Sequence, residues 1–193
     1  SEMCIRDRYY LPRYGYGTKL QEYLDDEIIV KNIALSGRSS KSYTTEPEYQ
    51  TLLSGMKKDD YLIIGFGHND EKTENDRYTQ GEGDYLTQGT FAFSLYNNYI
   101  KKAQEAGCTP LLCTPIVRRS PDGKWNGQML HVTAPVGEYK GGDYPKAIRD
   151  LARQLNIALV DMTMMTKEMY DRLGADETLY LHCLLYTSPS PRD

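Results

Sequence analysis

Histidine and tryptophan are scarce in these 193 residues, at three and one, and long apolar runs are missing. No stretch approaches the roughly 20 consecutive apolar residues of a membrane-spanning helix, so no membrane partner is expected. Strong charge of either sign is lacking too: 23 basic against 27 acidic residues leave a net charge of −4. That balance offers no basic surface for nucleic acid or an anionic bilayer. No charged n-region followed by an apolar h-region opens the chain. H-x-x-H, H-E-x-x-H and paired-cysteine spacings are missing, so no metal site is expected. A phosphate-cradling loop is missing as well, because Gly81-Glu82-Gly83 sits in a polar loop rather than between a strand and a helix. No cofactor is therefore expected. The cysteines number four. Cys108 and Cys113 lie in or beside an apolar strand and read as small buried hydrophobes, not as a disulfide framework.

The other two, Cys4 and Cys183, fall in terminal runs of a different character. Residues 1–8 (SEMCIRDR) and 183–193 (CLLYTSPSPRD) show neither helical nor strand periodicity. Both read as translated sequencing-adaptor DNA. The C-terminal run can be back-translated to a DNA whose reverse complement encodes Ser-Glu-Met-Cys-Ile-Arg-Asp, the start of the N-terminal run. Such scars stand outside fold reasoning. The expected domain is 9–182, enough for one α/β unit with a real core. Tyrosine is abundant, at 17 residues. Its bulk suits core and rim packing first, and a sugar-facing surface second.

Between the ends, strands and helices alternate. A short helix is expected at 18–23. A β-branched strand follows at 27–35 (EIIVKNIAL), broken by SGRSS. Pro47 sits at the first turn of a helix to about 56. The apolar run 61–66 (YLIIGF) reads as a strand buried on both faces, followed by a polar loop at 67–86. A long helix is expected at 87–106, with Phe91, Leu95, Tyr99 and Ala103 at helical spacing and Gly107 as its stop. The next strand is 110–117, its prolines marking the start and the end. A loop at 118–142, long for a compact domain, points to function. A helix at 143–156 with Asp143 as N-cap follows, then a strand at 157–160 and a helix at 161–173 closed by Gly174. The alternation predicts an α/β fold: a parallel sheet flanked by helices, with right-handed crossovers. Ligands in such sheets bind beyond the carboxyl ends of the strands.

Two segments stand at those ends. In Ser36-Gly37-Arg38-Ser39-Ser40, a glycine lets the chain turn sharply and exposes its N–H. An ordinary βα turn has the same look. In Gly65-Phe66-Gly67-His68-Asn69-Asp70, Asn69 offers an amide donor suited to an oxyanion, although Asn69 and Asp70 also suit turn capping. Together, in this order and spacing, SGRSS and GHND resemble blocks two and three of the SGNH (GDSL-like) hydrolases, nearest the rhamnogalacturonan acetylesterase-like group. The likeness extends to Arg118-Arg119, to Gly142-Asp143-Tyr144-Pro145 and to Val160-Asp161-Met162-Thr163, and so covers most of 9–182.

The resemblance implies a flavodoxin-like three-layer sandwich and a serine esterase. In that mechanism a serine attacks an ester carbonyl, a histidine takes its proton and an aspartate orients the histidine. Gly37 and Asn69 match the family's oxyanion donors, beside the nucleophile's own N–H. His68, Arg118 and Arg119 are the expected substrate contacts, the arginines because their forks suit uronate carboxylates, although a solvated basic turn has the same look. The implied substrate is an acetylated oligo- or polysaccharide. The family's Gly-Asp-Ser and Asp-x-x-His blocks do not occur in this sequence. The first strand, the nucleophile and the Asp/His pair are therefore expected to be missing, and the chain by itself inactive. No residue is a ready substitute. Ser36, Ser39 and Ser40 suit hydrogen bonding within the turn, Asp161 suits helix capping, His131 lies in the variable loop, and His182 has no partner spacing. A non-catalytic carbohydrate-binding relative is the rival reading. A flavodoxin-like binding domain would need a phosphate loop.

Overall fold

The computed structural model describes residues 16–181. The terminal runs, His182 and both expected domain boundaries lie outside them. Within them the regular elements are α1 (Pro47–Gly55), β1 (Tyr61–Gly65), α2 (Phe91–Leu95), α3 (Lys101–Glu105), β2 (Thr109–Cys113), β3 (Val132–Thr133), β4 (Gly142–Asp143), α4 (Tyr144–Leu155), β5 (Ala158–Val160) and α5 (Met162–Glu177). The fold is α/β, with a parallel sheet of order β1-β2-β5 flanked by helices, as the alternation predicts.

Register runs from Tyr61 opposite Thr109 to Gly65 opposite Cys113, and from Leu111 opposite Ala158 to Cys113 opposite Val160. Pro110 is tolerated in the central strand because the β5 ladder begins only at Leu111. Ile64 and Leu112 point into the main core, with Leu62 and Leu159 packed at its border. Phe91, Leu95, Tyr144, Ile148 and Leu151 meet them from α2 and α4. The opposite face of β1 is open, with Tyr61 75% and Ile63 43% exposed. The strand is therefore not buried on both faces among the described residues.

The expected 27–35 strand does not form. Residues 28–35 run without a ladder partner among the described residues. The side chain of Gln21 meets part of this backbone instead, donating to Ile28 O (2.6 Å) and accepting from Val30 N (2.8 Å). β-Branched composition makes a strand only where a neighbouring edge supplies hydrogen bonds. Ile33 and Leu35 still pack on the core. The short helix expected at 18–23 is a pair of 3₁₀ turns, Tyr16–Thr18 and Leu20–Tyr23, and Tyr23 is exposed.

The long helix starts later than expected, at Phe91. Thr90 caps it, its hydroxyl accepting from Phe93 N at 3.0 Å. Between α2 and α3 the turn Tyr96–Ile100 is π-helical. The apolar spacing explains this. Phe91, Leu95, Tyr99 and Ala103 repeat every four residues, which drifts about 40° per step on a 3.6-residue helix. A wider turn absorbs part of that drift, and all four side chains are buried.

Asp143 and Asp161 are the N-caps of α4 and α5, accepting from Lys146 N (2.8 Å) and Met164 N (3.2 Å). Asn156 ends α4 in the left-handed region. α5 is kinked at Gly174 (φ +87°) rather than ended there. Cys108 and Cys113 are free thiols in the interior, and burial pushes the Cys113 thiol up to about 11.

Candidate functional site

The site is built where β1 ends. At Gly37 the chain turns with φ +75°, a conformation glycine adopts without strain, and the amide N–H has no partner among the described residues. Thirty residues on, Gly67 (φ +130°) lets the chain leave β1 close under Pro115, whose Cγ would stand 2.9 Å from a Cβ there. Asn69 Nδ2 donates to Arg38 O at 3.2 Å, so one hydrogen bond joins the two expected oxyanion segments. On its other side Asn69 Oδ1 faces Arg77 Nη1 at 3.5 Å. With its oxygen toward a guanidinium and one N–H toward a carbonyl, the fully buried Asn69 amide has one orientation and one N–H left over.

Asp70 fastens the two turns. Its carboxyl accepts from Ser40 N (3.0 Å), Ser40 Oγ (2.5 Å), Thr79 Oγ1 (3.1 Å) and Gly67 N (3.1 Å). Burial pushes this carboxyl up to about 6, against the pull of those hydrogen bonds. Ser40 Oγ also meets Ser94 Oγ at 2.8 Å, and Ser39 and Ser42 bond one another. The serines around Gly37 thus serve the turn, as the residue types suggest. Two core tyrosines reach the same turns: Tyr99 donates to Ser40 O (2.7 Å) and Tyr144 to Thr79 O (2.7 Å).

Of the expected substrate contacts, His68 and Arg118 are brought together and turned inward. Arg118 donates through Nε to His68 Nδ1 at 3.0 Å, through Nη2 to His68 O, and through Nη1 to Glu71. An arginine only donates, so His68 Nδ1 accepts and the proton sits on Nε2, which is buried and has no partner among the described residues. Burial, followed by the charges of His131 and Arg118, holds His68 well below the usual histidine value. Arg119 points away, with Nη2 donating to Ala175 O (3.2 Å) while Nε and Nη1 are buried without partners among the described residues. Asp161 binds Arg149 (2.7 Å) and Thr114 (2.9 Å) as well as capping α5. Burial pushes its carboxyl up, but those hydrogen bonds prevail and hold it below the usual range. Glu71, Arg77, Thr79 and Ser94 also shape the site, although the sequence does not single them out. Single charged or hydroxyl residues in polar loops carry no signal of partners this distant in the chain.

This geometry can be compared with known proteins. A probable rhamnogalacturonan acetylesterase of Bacillus subtilis, YesY, is 30% identical over 176 residues, covering 89% of this chain and 70% of that protein. The chain belongs to the rhamnogalacturonan acetylesterase-like SGNH hydrolases. A second member, the rhamnogalacturonan acetylesterase RhgT of Bacillus subtilis, is 28% identical over 171 residues, covering 86% of this chain and 63% of that protein. The chain thus spans about two thirds of the length of these curated SGNH relatives. No protein-family model matches it. The crystal structure of Bacillus subtilis YxiM superposes with a TM-score of 0.67 at 19% identity, over 93% of this chain and 47% of that one, and shows the same fold.

Proposed function

We propose that the protein to which this chain belongs is a serine carboxylester hydrolase that removes O-acetyl groups from a pectic, rhamnogalacturonan-type polysaccharide. The observation that carries this reading is the coupling of Gly37 and Asn69 through Arg38 O at the carboxyl end of β1. The Gly37 N–H, without a partner among the described residues, and the remaining Asn69 amide N–H are the two donors this chain would bring to a tetrahedral ester intermediate, beside the nucleophile's own N–H. The membership of RhgT and YesY in the same group supports the acetyl ester as substrate. His68 and Arg118 enter as supports of the Asn69 turn. Arg119 points away, toward Ala175 O, and enters no substrate contact in this reading.

The attacking hydroxyl belongs to a Gly-Asp-Ser block and the general base to an Asp-x-x-His block, neither of which occurs in this sequence. The chain alone is accordingly proposed to be inactive. The test is initial-rate hydrolysis of p-nitrophenyl acetate and acetylated rhamnogalacturonan by this chain and by the chain extended with its flanking genomic sequence. Hydrolysis by the extended protein alone supports the reading. Asn69→Ala in that protein is then expected to lower kcat by about 10²–10³. A folded extended protein that leaves every acetyl ester intact, yet binds the polysaccharide, moves the carbohydrate-binding reading ahead.

A further inference from the structure

Beside the Asn69 turn lies a second polar cluster. Glu71 is nearly buried, its side chain 8% exposed. One carboxylate oxygen takes Arg118 Nη1, and the other stands 3.2 Å from His131 Nδ1. The second ring nitrogen of His131, Nε2, is 2.6 Å from Ile116 O. Both neighbours of this ring are therefore acceptors, a carboxylate and a carbonyl. A neutral imidazole donates from one nitrogen only, so opposite a Glu71 carboxylate paired with Arg118 the imidazolium is the form that satisfies both contacts. The charged and titratable groups that face the ring are Glu71, His68 and Arg118. His68 lies edge-to-face at 4.4 Å and is already committed to its neutral Nε2–H form by Arg118.

The backbone shows separately that this residue is held in place. His131 has φ +60°, left-handed for a side chain that bears a Cβ. Such a conformation persists where its surroundings over-determine it. Here the ring is held at both nitrogens, and the carbonyl accepts from Tyr144 N (3.2 Å) at the start of α4.

The geometry assigns Glu71 and His131 as positioning residues of the oxyanion turn. His131 is an imidazolium that, with Arg118, clamps Glu71 from both sides. The sequence His68-Asn69-Asp70-Glu71 is then gripped from two sides. Asn69 and Asp70 are held by the Gly37 turn, through Arg38 O and Ser40. His68 and Glu71 are held by Arg118 and by the 118–142 loop. The long loop thereby carries the cation that fixes the far side of the Asn69 turn. The consequence for turnover rests on the acetylesterase reading, whereas the charge state and the clamp do not.

The first experiment is nitrogen-15 NMR of the histidine rings in this chain at pH 7. Protons on both nitrogens of His131 and on Nε2 alone of His68 are expected. In Glu71→Gln, which keeps the shape and removes the charge, His131 is expected to lose one proton at the same pH and the Asn69 side-chain NH2 signals to move. In the extended protein the same variant is expected to lower kcat roughly ten- to hundredfold with KM within about twofold, as for a misplaced rather than missing donor. A singly protonated His131 at pH 7 overturns the proposal without any variant. So do unmoved Asn69 amide signals in a folded Glu71→Gln or, should that variant not fold, in His131→Gln. If the ring signals are as expected but the extended protein hydrolyses no acetyl ester, the acetylesterase reading falls and the clamp stands.

Discussion

At the scale of single residues, Asp70 makes the most exacting demand. Its carboxyl, raised by burial to about 6, sits among four donor groups. An unfolded aspartate titrates near 3.9. Because the folded value is the higher one, the native state holds the proton more tightly. The contribution of Asp70 is then full below the unfolded value and is lost as pH rises through about 6. Against Asp70→Asn, which cannot ionise, the native chain is expected to lose up to about 3 kcal/mol between pH 4 and 7. Urea melts of both proteins at several pH values read this difference directly, and parallel pH curves would contradict it. The residue pattern singled out Gly37 and Asn69, because each stands in a motif just after an apolar segment, and the structure joins their turns through one hydrogen bond to Arg38 O. It left Asp70 as one of many turn caps and gave Glu71 no role. Their burial is a property of the assembled loops, which sequence spacing does not express.

At the scale of elements, the tyrosines do more than fill space. Tyr99 belongs to the π turn and Tyr144 opens α4, and each sends its hydroxyl to a carbonyl of a site turn. Tyr99→Phe leaves the Ser40 carbonyl without its donor in the interior, and the expected cost is about 1–3 kcal/mol by chemical melt. A second hold on the site is backbone against backbone. Gly81 N donates to Gly141 O (3.0 Å), and a Cβ on Gly142 (φ +134°) would stand 2.8 Å from Glu82 N. Gly142→Ala is expected to destabilise by about 1–3 kcal/mol or more, since neither strand of the crossing can yield. Gly55→Ala, with open space around it, is expected to be neutral or mildly stabilising in the same melts. Where an element owes its existence to local periodicity or capping, as α4 and α5 do, the sequence located it to within a few residues. The 27–35 segment owed its expected existence to pairing. Composition cannot report whether a partner edge stands beside it.

At the scale of the whole molecule, the packing is lopsided. The helices α2 and α4 cover one face of the sheet, while Tyr61 and Ile63 lie open on the other. On α5, Met165, Met169 and Leu173 follow one another at four-residue intervals, one face of a helix, and are 58%, 40% and 40% exposed. β1 also has no strand partner on its outer side among the described residues, which leaves a row of unpaired backbone groups beside exposed apolar side chains. Exposed apolar side chains beside an unpaired strand edge favour association between copies of a chain. This chain is therefore expected to bind a hydrophobic dye in its folded state and to self-associate with rising concentration, readable by sedimentation velocity. Because Ile63 is already exposed, Ile63→Lys should cost little stability and should reduce that association, a charge on an edge strand being unfavourable for further pairing. A monodisperse, dye-silent monomer with a sharp melt would contradict this account. It would mean that the open face of the sheet is covered in solution, and that the scaffold holding Gly37 and Asn69 is closed on both sides.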